Sequence, residues 1–416
     1  MLKTLYPACS RRYTSLTVFG PIVDDFTTWL LQHHYTHPYI RQRIWLLAYM
    51  DLTLVRRGID HLSKVEQGDW VACRKSIRRQ FPYLTDTTDA LEKYLRSTNL
   101  LKPETRTIST TARYLSSYAD YLETVRGAAA STIQQNSYTA SELLAYLKIE
   151  GDARRLRTLS AHDLEGFVKV ISHRFTRASL HSIVGRVRSF LRFLAVQGEV
   201  PQGLDRQIDT PRVYQEEQLP RALPWETVQA FLDSIDRSSS VGLRDFTMFF
   251  LMAIYGLRAS DVTALTLDNI HWRAGRISIS QRKTGTILEL PLTDEVGTAL
   301  HTYLKRMAPP PPFRQLFLRR KAPLGPLKTA AISTRFRFWA SRSKVQIRGK
   351  GACHRIRHSY AVLLLRKGTP VKIIGDLLGH RTVESTSTYL RLAIEDLRDV
   401  ALPVPTQAKK QKAVRA

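Results

Sequence analysis

The sequence predicts a mainly α-helical protein whose last domain is mixed, mostly helical, and carries one small antiparallel β-sheet. Three observations predict it. Apolar residues recur at three-to-four spacing through most segments, the signature of helices with one buried face. Two short runs, RISIS at residues 276–280 and ILELPL at residues 287–292, read as strands, with QRKTGT as the turn between them. Residues 201–220 (PQGLDRQIDTPRVYQEEQLP) hold three prolines and no periodic pattern, which marks a linker between helical units.

Residues 1–104 form the first unit. The stretch 26–55 (FTTWLLQHHYTHPYIRQRIWLLAYMDLTLV) is rich in apolar residues at helical spacing and breaks near Pro38. A second helix covers residues 86–95. His33, His34 and His37 suggest a metal set, but no Cys or carboxylate completes it, so they read as surface histidines. No motif places this unit, and an accessory role in binding DNA or a partner is its expected task.

Residues 105–205 form the second helical unit. Ser160 and Asp163 supply an N-cap and a first-turn acid for a helix running to Ile171. The next helix spans about residues 178–197. Ile183, Val187, Phe190, Leu191 and Leu194 fall on one face, with Arg186, Arg188 and Arg192 elsewhere around it, and Gly198 stops it.

After the linker (206–222) comes a domain over 223–402. Its first helix, 224–235, has Pro224 at the first helical position. The helix over 243–255 ends at Gly256. Lys283 then sits at the hairpin tip, and helical patterns return near Thr334. Residues 403–416 form a basic tail expected to be disordered.

The bulk numbers narrow the function. The chain has 416 residues, enough for two or three domains, and 43% of them are hydrophobic, so a folded core is expected. Its net charge is +27 and its pI about 10.2. A chain this basic meets a polyanion, and nucleic acid is the first expectation. From residue 296 to 375 there are eighteen Lys or Arg and no Asp or Glu. Phosphates best relieve that repulsion. Arg186, Arg188, Arg192, Arg282, Arg335, Arg337, Arg342, Lys344, Arg348 and Lys350 are the candidate DNA contacts. Cys9, Cys73 and Cys353 have no metal-ligand spacing and leave an odd count, which points to a reducing compartment. No apolar run is long enough to span a bilayer, and the first twenty residues lack a continuous apolar stretch. A cytoplasmic, DNA-associated protein without membrane contact is expected.

Six residues carry the chemistry: Arg258, Lys283, His354, Arg357, His380 and Tyr389. Two guanidiniums, an ammonium, two imidazoles and a phenol suit a metal-free attack on a phosphodiester. Each guanidinium donates paired hydrogen bonds to phosphoryl oxygens and keeps its charge. His380 adds a third donor, and such contacts strengthen as charge spreads in the transition state. The phenol of Tyr389 is the nucleophile, His354 a base or proton relay, and Lys283 an acid for the leaving sugar oxygen. His354 beside Cys353 also suggests a thiol–imidazole pair, but adjacent residues on a helix do not face each other.

The ordered set resembles the tyrosine recombinases, the phage-integrase superfamily. GLRASDVTALTLDNI (256–270) is similar to that family's first arginine box, with Arg258 as the catalytic arginine. Asp261 stands where an acidic residue, often Glu, orients that arginine. HRIRHSYAVLLLRKGTPVKIIGDLLGHRTVESTSTYL (354–390) is similar to the second box. There His354 and Arg357 form the H-x-x-R pair, His380 ends L-L-G-H, and Tyr389 follows nine residues later. Lys283 matches the hairpin lysine. Residues 131–220 resemble the family's helical core-binding domain more weakly.

The resemblance implies that Tyr389 becomes joined to a 3′-phosphate and frees a 5′-hydroxyl. The bond energy is kept, so neither ATP nor metal is expected. It also implies four protomers on two double-stranded DNA sites exchanging strands, possible partners being related recombinases. The segment 391–400, through Leu392, Ile394 and Leu397, would then dock on a neighbour. The expected role is site-specific recombination or integration, with a mobile element as source. The alternatives are a type IB topoisomerase that relaxes DNA alone and a non-catalytic DNA-binding protein on the same scaffold.

Overall fold

The computed structural model of the chain describes residues 1–81, 85–100, 109–214, 222–281, 285–307, 310, 312–320, 322–343, 347, 353–380, 382 and 384–390. The chain divides into two units. One is Lys102–Gln218, and the other combines Met1–Leu101 with Leu219–Ala416.

The N-terminal residues fold into helices α1 (Leu2–Leu5), α2 (Ser10–Thr14), α3 (Val23–Gln32), α4 (His37–Val55), α5 (Gln67–Gln80) and α6 (Thr85–Ser97). Their core includes Phe26, Leu30, Ile44, Leu47, Leu91 and Leu95. The break expected near Pro38 falls at residues 33–36, where His34 has φ +61°. Pro38 lies in the first turn of α4, where a missing N–H leaves no helical bond unmade. Buried Asp51 accepts the N–H groups of Thr17, Val18 and Phe19, which ties the approach to α3 onto α4. His33 Nδ1 lies 2.8 Å from the carbonyl oxygen of Trp29, a contact at the end of α3. Ala322 of the last domain packs on this N-terminal core.

The second unit holds α7 (Thr110–Thr124), α8 (Ala130–Tyr146), α9 (Ala161–Ser172), α10 (Arg177–Val196) and α11 (Leu204–Gln207). Ser160 caps α9 in a reciprocal box with Asp163, as its sequence predicts. Ile183, Val187, Phe190, Leu191 and Leu194 of α10 are all buried, and Tyr118 donates to Ser189 across the core.

In the last domain, α12 (Trp225–Asp233), α13 (Ser240–Tyr255) and α14 (Ala259–Ala264) precede the sheet, and α15 (Asp294–Met307), α16 (Thr329–Ala340), α17 (His354–Arg366), α18 (Val371–Leu378) and α19 (Glu384–Ser387) follow it. Pro224 is the N-cap of α12, one residue before the helix, which corrects its expected place. The sheet has three antiparallel strands where two were expected: β1 (Ile270–His271), β2 (Arg276–Ser280) and β3 (Ile287–Pro291), in that order. Ile270 pairs with Ile277, and Ile277 with Leu290, so the three buried apolar side chains share one row on the core face. Helix α15 was not expected, nor was a start for α16 as early as Thr329. Val296, Leu300, Tyr303 and Met307 are the buried stripe of α15.

One buried carboxylate braces this domain. Asp245 of α13 is fully buried and accepts from Arg244 at 2.7 and 3.0 Å, from Arg335 Nε at 2.5 Å and from Trp339 Nε1 at 2.8 Å. Arg244 also donates to the carbonyl oxygen of Leu318 at 3.0 Å. A buried charge is tolerable only when paired and hydrogen-bonded, and four donors satisfy both oxygens here. Among the described residues no helix is long and apolar enough to cross a membrane.

Candidate active site

The site is built where α13, α14, α17 and α18 end or begin. Helix α13 stops at Gly256, whose φ of +61° suits glycine. A Cβ there would lie 2.5 Å from the Tyr360 ring and 2.7 Å from Leu378, so the backbone approaches α17 and α18 as only glycine permits. Arg258 follows as the N-cap residue of α14. Helix α18 likewise stops at Gly379, with φ +60°, and His380 comes next. Both turns put a chemistry-bearing residue just past a glycine stop.

Three side-chain bonds converge on the end of α18, and a fourth reaches the end of α13. Arg357, buried to 5% exposure, donates from Nη2 to the carbonyl oxygen of Leu378 at 2.6 Å and from Nη1 to that of Gly256 at 2.7 Å. Arg258 donates from Nη2 to the carbonyl oxygen of Gly379 at 3.2 Å. Gln281 Nε2 donates to Leu378 as well, at 3.3 Å. Cations at a helix C-terminus meet its partial negative charge, so these bonds both hold the guanidiniums and complete the helix. A guanidinium carries five N–H donors. Each of these two therefore keeps hydrogens on the same fork to offer a phosphate.

Asp261 Oδ2 lies 3.8 Å from Arg258 Nη1, an ion pair rather than a hydrogen bond. Gln281 Oε1 accepts from the same Nη1 at 3.1 Å. Burial, then repulsion from Arg258, pulls the pKa of Arg357 down to about 10, which leaves it cationic at neutral pH.

His380 Nδ1 is 2.7 Å from Thr386 Oγ1, and its backbone N–H bonds the carbonyl oxygen of Gly375. When Thr386 donates to Nδ1, the ring proton sits on Nε2, the donor a phosphate needs. The His380 ring lies stacked with Tyr389, centroids 6.2 Å apart and planes at 14°. Tyr389 is 4% exposed and packs with Ala361, Val362, Ile374 and Leu378. Burial raises its phenol pKa, while Arg357 and Arg258 pull it back. Its hydroxyl meets His358 Nδ1 at 3.0 Å. His354 opens α17 one turn earlier and is exposed.

The structure thus brings Arg258, Asp261, Arg357, His380 and Tyr389 together, with His354 at the start of the helix that carries Arg357. Lys283 and its neighbour Arg282 lie outside the described residues, as do Lys344, Arg348, Lys350 and the segment 391–400. Two candidate DNA contacts are engaged within the chain itself. Arg335 is committed to buried Asp245, with its guanidinium 4.1 Å over the Phe338 ring. Arg188 is part-buried and turns inward to donate to the carbonyl oxygen of Ile208. Arg192 is exposed, 3.7 Å from Asp205, and Arg186 bonds Gln135 at 2.8 Å. Arg337 and Arg342 are exposed on and just after α16.

Gln281, His358 and Thr386 are functional candidates that sequence reasoning missed. His358 had a usable signal, since it falls four residues after His354 on one helix face. Gln281 precedes the hairpin lysine by two residues, and Thr386 sits in a run of Ser and Thr. Neither spacing announces its partner.

The profile of the Phage integrase family matches residues 221–395. The chain is 30% identical over 399 residues to the integrase/recombinase y4rA of Sinorhizobium fredii, covering 94% of this chain and 96% of the relative. It is 27% identical over 294 residues to the tyrosine recombinase XerD of Listeria monocytogenes, covering 68% and 95% respectively. Among solved structures, XerH site-specific recombinase bound to a palindromic difH substrate aligns with a TM-score of 0.54 at 18% identity, over 74% of this chain and 92% of that one. A lambda integrase dimer bound to a COC′ core site aligns with a TM-score of 0.53 at 18% identity, over 67% and 94%. At such identities the two structures speak to the fold. The similarity to y4rA covers 94% of this chain, so it includes most of residues 1–101. With the arginine pair, the histidine and the tyrosine gathered at the end of α18, and with a 30% identical relative matched over 94% of this chain, the chain belongs to the phage integrase family of tyrosine recombinases.

Proposed function

We propose that this chain is a site-specific DNA recombinase that cuts and rejoins double-stranded DNA through a phosphotyrosyl intermediate. The convergence of Arg258, Arg357, His380 and Tyr389 on the C-terminal end of α18 carries the reading. Two permanent cations and an imidazole donor fit the three features a pentavalent phosphorane needs: charge, paired donors and a fixed geometry. Removing one such donor costs roughly 3–4 kcal/mol of transition-state stabilisation.

In the cutting step Tyr389 Oη bonds the phosphorus of a backbone phosphodiester while the bond from phosphorus to the 5′ oxygen breaks. The phenolic proton leaves to a base, and Lys283 protonates the departing oxygen. The product is a 3′-phosphotyrosine and a free 5′-hydroxyl. Attack of a 5′-hydroxyl from a second duplex reverses the step and joins strands. Asp261 and Gln281 hold Arg258, and Thr386 sets the His380 tautomer. The active assembly is a homo-tetramer on two DNA sites, with residues 391–400 as the connecting segment. Lambda integrase has been seen as a tetramer on a Holliday junction, which supports this arrangement.

The test uses nicked duplexes with a randomised central segment, in which cleavage releases a short fragment and traps the covalent adduct. The unaltered chain should capture a subset of the pool, and Tyr389→Phe should capture none. Adduct formed by Tyr389→Phe would end the assignment of the nucleophile. Relaxation of a two-site plasmid without recombined product would favour a topoisomerase instead.

A further inference from the structure

We propose that His358 is a catalytic residue of this chain, the base that takes the phenolic proton of Tyr389 as the tyrosine attacks and returns it when the strand is rejoined. The inference rests on the reading of Tyr389 as the nucleophile.

Geometry comes first. A general base must lie within hydrogen-bond reach of the proton it removes. His358 Nδ1 stands 3.0 Å from Tyr389 Oη, with ring centroids 5.6 Å apart. His380 does not meet this test, because its Nδ1 is against Thr386 and its ring lies parallel to the tyrosine ring. His354 is exposed at the helix start, one turn before His358.

The charge state fits as well. Burial, then the charges of His354 and Arg357, push His358's pKa down to about 4. The ring is therefore neutral at working pH and has a lone pair to accept with. Tyr389 needs such a base, because burial raises its phenol pKa despite the nearby guanidiniums. A bound phosphodiester changes the balance further. Its negative charge raises the proton affinity of His358, while bonding to phosphorus acidifies the phenol.

The step balances. The bond from Oη to phosphorus forms, the bond from phosphorus to O5′ breaks, and the phenolic proton moves to Nδ1 to give an imidazolium. A separate proton, from Lys283, goes to O5′. On rejoining, the imidazolium returns its proton to Oη as the tyrosine departs.

The test uses the full chain and a nicked suicide duplex captured by it from the randomised pool. His358→Ala should slow adduct formation about 10²–10⁴-fold, the usual contribution of a positioned base. His358→Asn keeps a hydrogen-bonding group near the tyrosine but cannot take its proton at neutral pH, and it should be as slow as the alanine variant. Replacing Tyr389 with 3,5-difluorotyrosine, whose phenol is more acidic, should recover most of the loss in either variant and change the unaltered chain little. If His358→Asn cleaves at the unaltered rate, or if the fluorinated tyrosine recovers nothing, His358 is only a packing partner. Should the alanine variant fail to fold, the asparagine variant decides alone. Adduct from Tyr389→Phe would instead defeat the nucleophile reading, so the two failures are separate.

Discussion

Gln281 accepts a hydrogen bond from Arg258 through Oε1 at 3.1 Å and donates through Nε2 to the carbonyl oxygen of Leu378 at 3.3 Å. One fully buried amide therefore joins the base of the β2–β3 hairpin to both the arginine box and the end of α18.

From this link, Gln281→Leu should loosen Arg258 without touching DNA-contacting charge. Misplacement of about 1 Å can cost on the order of 10²-fold in rate. We expect cleavage on saturating suicide duplex to fall by about that factor, with DNA affinity unchanged. Equal losses in affinity and rate, or none in either, would contradict a positioning role.

Gly379 should tolerate no side chain. Its φ is +60°, and a Cβ would stand 1.9 Å from Gln281 Oε1. The left-handed backbone alone costs an L-residue roughly 1–2 kcal/mol. Gly379→Ala should lower stability in urea by more than that and displace Gln281, with loss of cleavage. Stability within error of the unaltered chain would show that the turn is not fixed as described.

Asp245 should matter to folding and not to chemistry. Removing one partner of a buried, paired charge typically costs about 3–5 kcal/mol. Asp245→Ala leaves Arg244, Arg335 and Trp339 without their acceptor, so a loss of that size in equilibrium unfolding is expected. A loss near zero would mean that solvent reaches the cluster.

The basic residues should separate into two groups. If about six to ten phosphates are neutralised, affinity should fall roughly 10³–10⁵-fold between about 50 and 200 mM salt. Arg337→Ala and Arg342→Ala should each lower the salt slope by about one phosphate contact. Arg335→Ala and Arg188→Ala should instead lower the melting temperature and leave the slope nearly as it was. Fluorescence-anisotropy titrations at several salt concentrations distinguish the groups.

Legibility in the sequence tracked the range of the interaction. Local rules exposed the Ser160–Asp163 cap, the buried stripe of α10 and the glycine stop at Gly256, because each depends on neighbours within a turn or two. The arginines, His380 and Tyr389 could be read because their order and spacing resemble the boxes of the tyrosine recombinases. Strand β1 was hidden because two residues are too few to alternate. Helix α15 was missed although its apolar stripe is regular and Thr293, which accepts the Val296 N–H, stands at its start. Arg335 looked like a surface cation because its acceptor lies ninety residues earlier in the chain. His358 and Gln281 were overlooked for the same reason: Tyr389 is thirty-one residues from the first, and Leu378 is ninety-seven from the second.

The most direct measurement is the chemistry of the covalent bond itself. Adduct captured on a nicked suicide duplex is digested with nuclease and protease, and the nucleotide-bearing peptide is sequenced by mass spectrometry. The account predicts a 3′-linked nucleotide on the phenolic oxygen of Tyr389. A nucleotide on any other residue, or one linked through its 5′-phosphate, would contradict it.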